Sequence, residues 1–296
     1  MKSNFEEELS RRVLLCDGAM GTMIYHKGIP FEKCYEALNL SQPRLIGEIH
    51  RGYISAGADI IEANTFGANR FRLKRHGLGN KVRDINLKAV ETARSAQRES
   101  GRSIYIAGSI GPLGEPLSPL GSITAKESER IFIEQAEALT EGGVDLFIIE
   151  TFSEPNEIYS AIAAVKKSSD KTVVAEASFS ANNKTYLGFT PQEMVKAMID
   201  GDADIIGVNC STGPKNVLEI MRTIANMDKK PFCAMPNAGI PQSIGGELVY
   251  PYSSEDFAEY VGQFIDLGVR IIGGCCGTTP KYIKLVREVI NGFQNT

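Results

Sequence analysis

Cys275 and Cys276 stand side by side in RIIGGCCGTTP, residues 270–280, directly after an apolar run and flanked by glycines. A disulfide between neighbours would strain both the ring and the intervening peptide. On a regular strand the two side chains would point to opposite faces. Gly273, Gly274 and Gly277 predict a turn of the backbone, one able to aim both sulfurs at a single point. Cys210, in GVNCS, ends another apolar run. Three converging thiolates would make a sulfur-rich shell for Zn²⁺, with a fourth place left for water or substrate. The same residues could equally be buried thiols packing as small apolar groups, and residue type alone leaves both readings open. His26, His50 and His76 all fall in the first third of the chain, and no C-x-x-C pair is present, so a zinc ribbon or a thioredoxin-like site is disfavoured. Cys16 and Cys233 lie within apolar runs and are expected to pack, while Cys34 receives no role.

Something must carry these residues to one place. The chain repeats a short apolar run, a polar or glycine turn and an amphipathic helix. The runs are VLLCDG (13–18), ADIIEANTF (58–66), SIYIAGSIG (103–111), VDLFIIET (144–151), TVVAEASF (172–179), ADIIGVNC (203–210), PFCAMPNA (231–238) and VRIIGGCC (269–276). They are too continuously apolar for half-exposed antiparallel strands and read as buried parallel ones. Helices are expected over 41–56 and near 81–99, 124–141, 154–167, 190–200, 214–226, 253–267 and 279–292. Thr124 with Glu127 and Thr190 with Glu193 fit capping boxes, and Pro191 and Pro280 fit first helical positions. Eight such units predict an α/β fold, a (β/α)8 TIM barrel in one domain spanning 1–296, with a doubly wound open sheet as the alternative. In a barrel, side chains at the C-terminal strand ends surround the site. That rule selects Asp17 and Gly18, Glu62 and Asn64, Ser109, Glu150 and Thr151, Glu176 and Ser178, Asn209 and Cys210, Pro236 and Asn237, and Cys275 with Cys276.

A net charge of −4 and a hydrophobic fraction of 43% describe an ordinary globular chain and argue against a general nucleic-acid or membrane-surface binder. No apolar segment is long enough to span a bilayer, and the start, MKSNFEEELSRR, has no apolar signal core. Six cysteines in 296 residues are not a disulfide framework. A cytoplasmic location with reduced thiols is the expectation.

DGAMGT (17–22), ADIIEANTFGA (58–68), GPLGEPL (111–117), IIET (148–151), GVNCS (207–211) and GGCCGT (273–278) together resemble the homocysteine S-methyltransferases over about residues 11–290. The likeness is greatest to the homocysteine-binding barrel of cobalamin-dependent methionine synthase, and extends to barrels fused to methylenetetrahydrofolate reductase. The resemblance implies transfer of a methyl group to the thiolate of L-homocysteine, giving methionine, with zinc held by Cys210, Cys275 and Cys276. It also implies that Asp17, Gly18 and Glu150 hold the amino-acid end of the substrate. Asn209 and Asn237 are added as candidate substrate-binding residues, since either could orient the site or tie neighbouring loops. Glu62 and Glu176 are weaker candidates.

The chemistry accounts for a metal. At an unperturbed pKa of about 8.5 only a few per cent of a thiol is ionised at pH 7, so full ionisation is worth about 2 kcal/mol. A coordinating thiol is deprotonated outright. Three anionic sulfurs around Zn²⁺ leave the centre negative, which favours releasing charge toward an electrophilic methyl. The resemblance favours methylcobalamin, held on a separate module or protein, as the donor. No D-x-H-x-x-G motif surrounds any of the three histidines. S-methylmethionine, S-adenosylmethionine and betaine are the small-molecule alternatives. A homocysteine or zinc sensor would keep the site without turnover. An aldolase-type barrel would want a lysine near a strand end, and none of the eight runs supplies one.

Overall fold

The apolar runs pair as parallel strands because each is flanked by a helix long enough to return the chain to the same edge. The computed structural model describes residues 5–245 and 247–294; the outermost residues of the 1–296 span lie outside them. Strands β1 (Leu14–Leu15), β2 (Ile60–Glu62), β3 (Tyr105–Ile110), β4 (Leu146–Phe152), β5 (Val173–Ala177), β6 (Ile205–Asn209) and β7 (Phe232–Met235) precede an antiparallel hairpin, β8 (Gln242–Ile244) with β9 (Glu247–Val249). Strand β10 (Val269–Ile272) completes the eight-stranded parallel sheet, ordered β1-β10-β7-β6-β5-β4-β3-β2. A parallel bridge between Cys16 and Ile60 joins the sheet's two ends, and Asp59 N–H donates to Leu15 O at 2.7 Å across the same seam. The architecture is the expected (β/α)8 barrel.

Alternation along the strands makes two cores. Leu15, Ile61, Ile106, Phe147 and Val173 point outward into the layer beneath the helices. Leu14, Ile60, Tyr105, Leu146, Val174, Ile205, Cys233 and Ile271 fill the barrel interior, where Cys16 and Cys233 pack as expected. A short helix, Phe5–Arg11, caps the N-terminal end of the barrel. Its Phe5 meets Tyr105 edge-on at 5.0 Å, and Arg270 donates twice to Leu9 O, at 2.9 and 2.6 Å.

Both expected capping boxes form, at Thr124–Glu127 and Thr190–Glu193, and Pro191 and Pro280 open their helices. Three details differ. The helix expected from Ser41 begins at Pro43, because proline cannot donate into a preceding turn, and a separate short helix covers Leu38–Ser41. The single helix expected over 253–267 is two, Ser254–Ala258 and Val261–Asp266. The β8–β9 hairpin lies in a stretch for which the sequence reading assigns no element.

Candidate metal centre and substrate cavity

The chain leaves β10 through Cys275 and Cys276 and turns at once. Cys275 O accepts from Thr278 N–H at 3.1 Å and from the Thr278 hydroxyl at 2.8 Å. Gly277 sits third in this turn with φ +84°, a conformation that suits glycine and matches a type II turn. Gly273 and Gly274 serve another purpose than the turn anticipated from sequence. A Cβ on Gly273 would lie 2.8 Å from Cys16 Cβ, and one on Gly274 would lie 2.5 Å from Thr278 Oγ1. They are glycines because β10 leaves no room. Cys275 N–H donates to Pro236 O at 2.8 Å and Cys276 O accepts from Ala238 N–H at 3.0 Å, which pins the pair against the loop after β7.

Cys210 comes to the same point from β6. It and Ser211 both adopt left-handed backbone, φ +57° and +58°. Two consecutive non-glycine residues there cost roughly 1–2 kcal/mol each, strain of the kind that collects at functional sites. The bend brings Cys210 Sγ to 3.9 Å from Cys276 Sγ, and all three sulfurs lie within 4.8 Å of one another. Zn–S bonds of about 2.3 Å in a tetrahedral shell place neighbouring sulfurs roughly 3.8 Å apart, so the three thiols fit such an ion. Hydrogen bonds from Cys210 and Cys275 hold the Cys276 thiol well below the usual range, while Cys275 is pushed up by the same contacts and by burial.

The sulfurs form one wall of a 530 Å³ cavity at the C-terminal end of the barrel. Asp17, Gly18, Glu62, Glu150 and Thr151 line another part of it. Asp17 is buried, accepts from Glu62 N–H at 3.0 Å and has its pKa pushed up to about 8, chiefly by burial. Glu150 accepts from Ser109 Oγ at 2.5 Å and Asn209 Nδ2 at 3.2 Å, and burial raises it as well. Gly18 admits no side chain: a Cβ would meet Thr278 Oγ1 at 2.6 Å and the Tyr53 ring at 3.0 Å.

Glu150 is aimed by a bulge. Pairing of β4 with β5 slips between Ile149 and Phe152, and Thr151 has φ +66°, an outlier for a β-branched residue. The bulge lets Glu150 and Thr151, neighbours in sequence, both line the cavity. Asn209 clamps it, accepting from Thr151 N–H at 2.8 Å and donating to Thr151 Oγ1 at 2.9 Å as well as to Glu150. Neither Asn209 nor Asn237 is among the residues lining the cavity. Asn209 acts through Glu150, and Asn237 is buried with Oδ1 unpartnered while its N–H donates to Thr212 O at 3.0 Å. Glu176 is fully buried in the barrel, without a hydrogen-bond partner for either oxygen.

Other contributors carry no sequence signal of their own. Thr278 Oγ1 accepts from Ala19 N–H at 3.2 Å, and Tyr53 donates to Ala19 O at 2.7 Å, so both hold the Asp17–Gly21 turn against the cysteine turn. Phe31, Lys33, Tyr35, Phe66, Arg72, Arg75 and His76 reach the cavity from the segments after β1 and β2. Cys34, unassigned from sequence, lies beside them and donates to Glu36 Oε2 at 3.4 Å.

Residues 14–290 match the family model described as homocysteine S-methyltransferase. The chain is 32% identical over 297 residues to a methionine synthase of Mycobacterium tuberculosis and 31% identical over 299 residues to that of Mycobacterium leprae. These alignments take in 95% and 96% of this chain but only 25% of each relative, so the chain spans about a quarter of their length. In fold it is similar to the homocysteine methyltransferase MmuM from Escherichia coli in its metallated form, with TM-score 0.82 and 23% identity over 97% of this chain and 99% of that one. The apo form of the same protein gives TM-score 0.74 at 22% identity, covering 97% and 98%. With the family model covering nearly all of the barrel, the chain belongs to the homocysteine S-methyltransferase family.

Proposed function

We propose that this barrel transfers a methyl group to the thiol sulfur of L-homocysteine, giving methionine, with Zn²⁺ held by Cys210, Cys275 and Cys276. The observation that carries the reading is the meeting of these three sulfurs, within 4.8 Å, on the wall of a cavity that also holds Asp17 and Glu150. Zinc there would supply Lewis acidity that keeps the substrate thiol ionised at neutral pH. The chain's own residues do the rest. Glu150, fixed by Ser109 and Asn209, and Asp17, fixed by Glu62 N–H, receive the ammonium group. The glycine-rich turn after Asp17 lines the cavity beside them and receives the carboxylate. Burial strengthens each of these contacts, and holding the substrate by both ends orients its sulfur toward the mouth.

The donor in this reading is methylcobalamin carried by a separate module. Lys33, Arg75 and His76 are exposed and line the cavity together with Arg72. A cationic approach disfavours sulfonium and quaternary ammonium donors and suits a phosphate-bearing one. The two mycobacterial relatives carry the name methionine synthase.

The test is a donor panel. Zinc-loaded protein is incubated with L-homocysteine and methylcobalamin, S-methylmethionine, S-adenosylmethionine or betaine, and methionine is measured. Methionine from methylcobalamin alone is expected. Methionine from a small onium donor alone would overturn the donor, and homocysteine binding without turnover on any donor would favour a sensor.

A further inference from the structure

Glu62 ends β2 and shares the cavity with Asp17 and Glu150. Its carboxyl oxygen lies within 4.8 Å of one from Asp17. Its Oε2 is buried and finds no donor, and its Oε1 has only a long contact from the Cys16 thiol at 4.0 Å. Beneath lies Glu176, fully buried, with neither oxygen partnered. Burial is the largest influence on each of these acids. Buried carboxyls are ordinarily paired or hydrogen-bonded. Asp17, Glu62 and Glu150 open onto one cavity, and among the described residues none of them is ion-paired with the lysine or arginines that also line it, which leaves the acids a place for an incoming cation.

We infer that Glu62 is the third arm of an ammonium cage with Asp17 and Glu150, and that it sets the preference for an α-amino thiol over a thiol lacking the amine. The inference rests on the homocysteine reading and goes beyond it by assigning a specificity role to Glu62. A compact ammonium offers three N–H donors, and three carboxyls, from the turn after β1, from β2 and from β4, can take one each. A des-amino thiol would leave all three acids facing one another and would gain nothing from Glu62.

Calorimetric titration of zinc-loaded protein with L-homocysteine and with 4-mercaptobutanoate, its des-amino analogue, separates the possibilities. Glu62→Gln is expected to weaken L-homocysteine about 10- to 50-fold, to leave 4-mercaptobutanoate within about twofold, and to retain wild-type zinc content. Glu62→Leu, which suits a buried position, gives the same comparison should the glutamine variant fail to fold. Equal loss for both ligands, or no loss for L-homocysteine, overturns the role of Glu62 while leaving the homocysteine reading standing. Wild-type protein that binds neither ligand overturns both.

Discussion

The two ends of the barrel treat buried charge in opposite ways. At the N-terminal end, Asp59 accepts from Leu15 N–H at 2.9 Å, meets Arg12 at 2.9 Å and pairs with Arg287. Phe5 and Leu9 close that end. Every requirement of Asp59 is met within the chain. At the C-terminal end, Asp17 and Glu176 are buried and Glu62 and Glu150 half-buried with no ion pair among the described residues, three cysteine sulfurs crowd together, and Thr151, Cys210 and Ser211 hold left-handed backbone. One end is finished by its own residues and stabilises the fold. The other is electrostatically incomplete, as expected of a surface whose partners arrive from outside.

The contrast is broken most severely at the cysteines. Cys210→Ser is expected to lower zinc affinity by at least on the order of 100-fold while leaving the circular dichroism spectrum unchanged. Undiminished zinc by atomic absorption would separate Cys210 from the metal. At the opposite end, Asp59→Asn should cost about 2–3 kcal/mol in urea unfolding, because two guanidinium groups lose their shared carboxylate. Zinc content and the KM for homocysteine should stay at wild-type values, and a raised KM would mean that the ends are coupled. Glu150→Gln should weaken homocysteine roughly 10-fold or more with zinc retained, and undiminished binding would remove it from the site.

The smallest effect concerns pH. Burial pushes Glu176 from about 4.5 up to about 8, so across that window the folded chain keeps a proton that the unfolded chain has lost. Stability from this group is fully present below about 4.5 and falls as pH rises toward 8. Glu176→Gln should flatten the decline by up to about 1.4 kcal/mol per pH unit, read from chemical denaturation between pH 5 and 8. An unchanged slope would mean that Glu176 is ionised when folded.

Local chemistry made much of the fold legible. Short, continuous Ile- and Val-rich runs read as strands buried on both faces, and Thr124–Glu127, Thr190–Glu193 and Pro191 mark helix starts whose bonds close within four residues. The barrel rule then selected Asp17, Glu150, Cys210, Cys275 and Cys276 from the strand ends, and all five line one cavity. Family resemblance, which no spacing supplies, is what favoured zinc over packing.

Residue order alone determined which side chains stand at the strand ends and which elements carry them there, since periodicity and caps are short-range effects. Only the folded chain decided where those side chains point. The bulge at Glu150–Thr151, the clamp from Asn209, the left-handed pair Cys210–Ser211 and the lack of space above Gly273 and Gly274 each depend on residues tens to hundreds of positions away. The same is true of the gathering of Asp17, Glu62 and Glu150 on one cavity without an ion pair of their own among the described residues. Whether a buried charge has a partner depends on distances through space, and a linear chain does not display them.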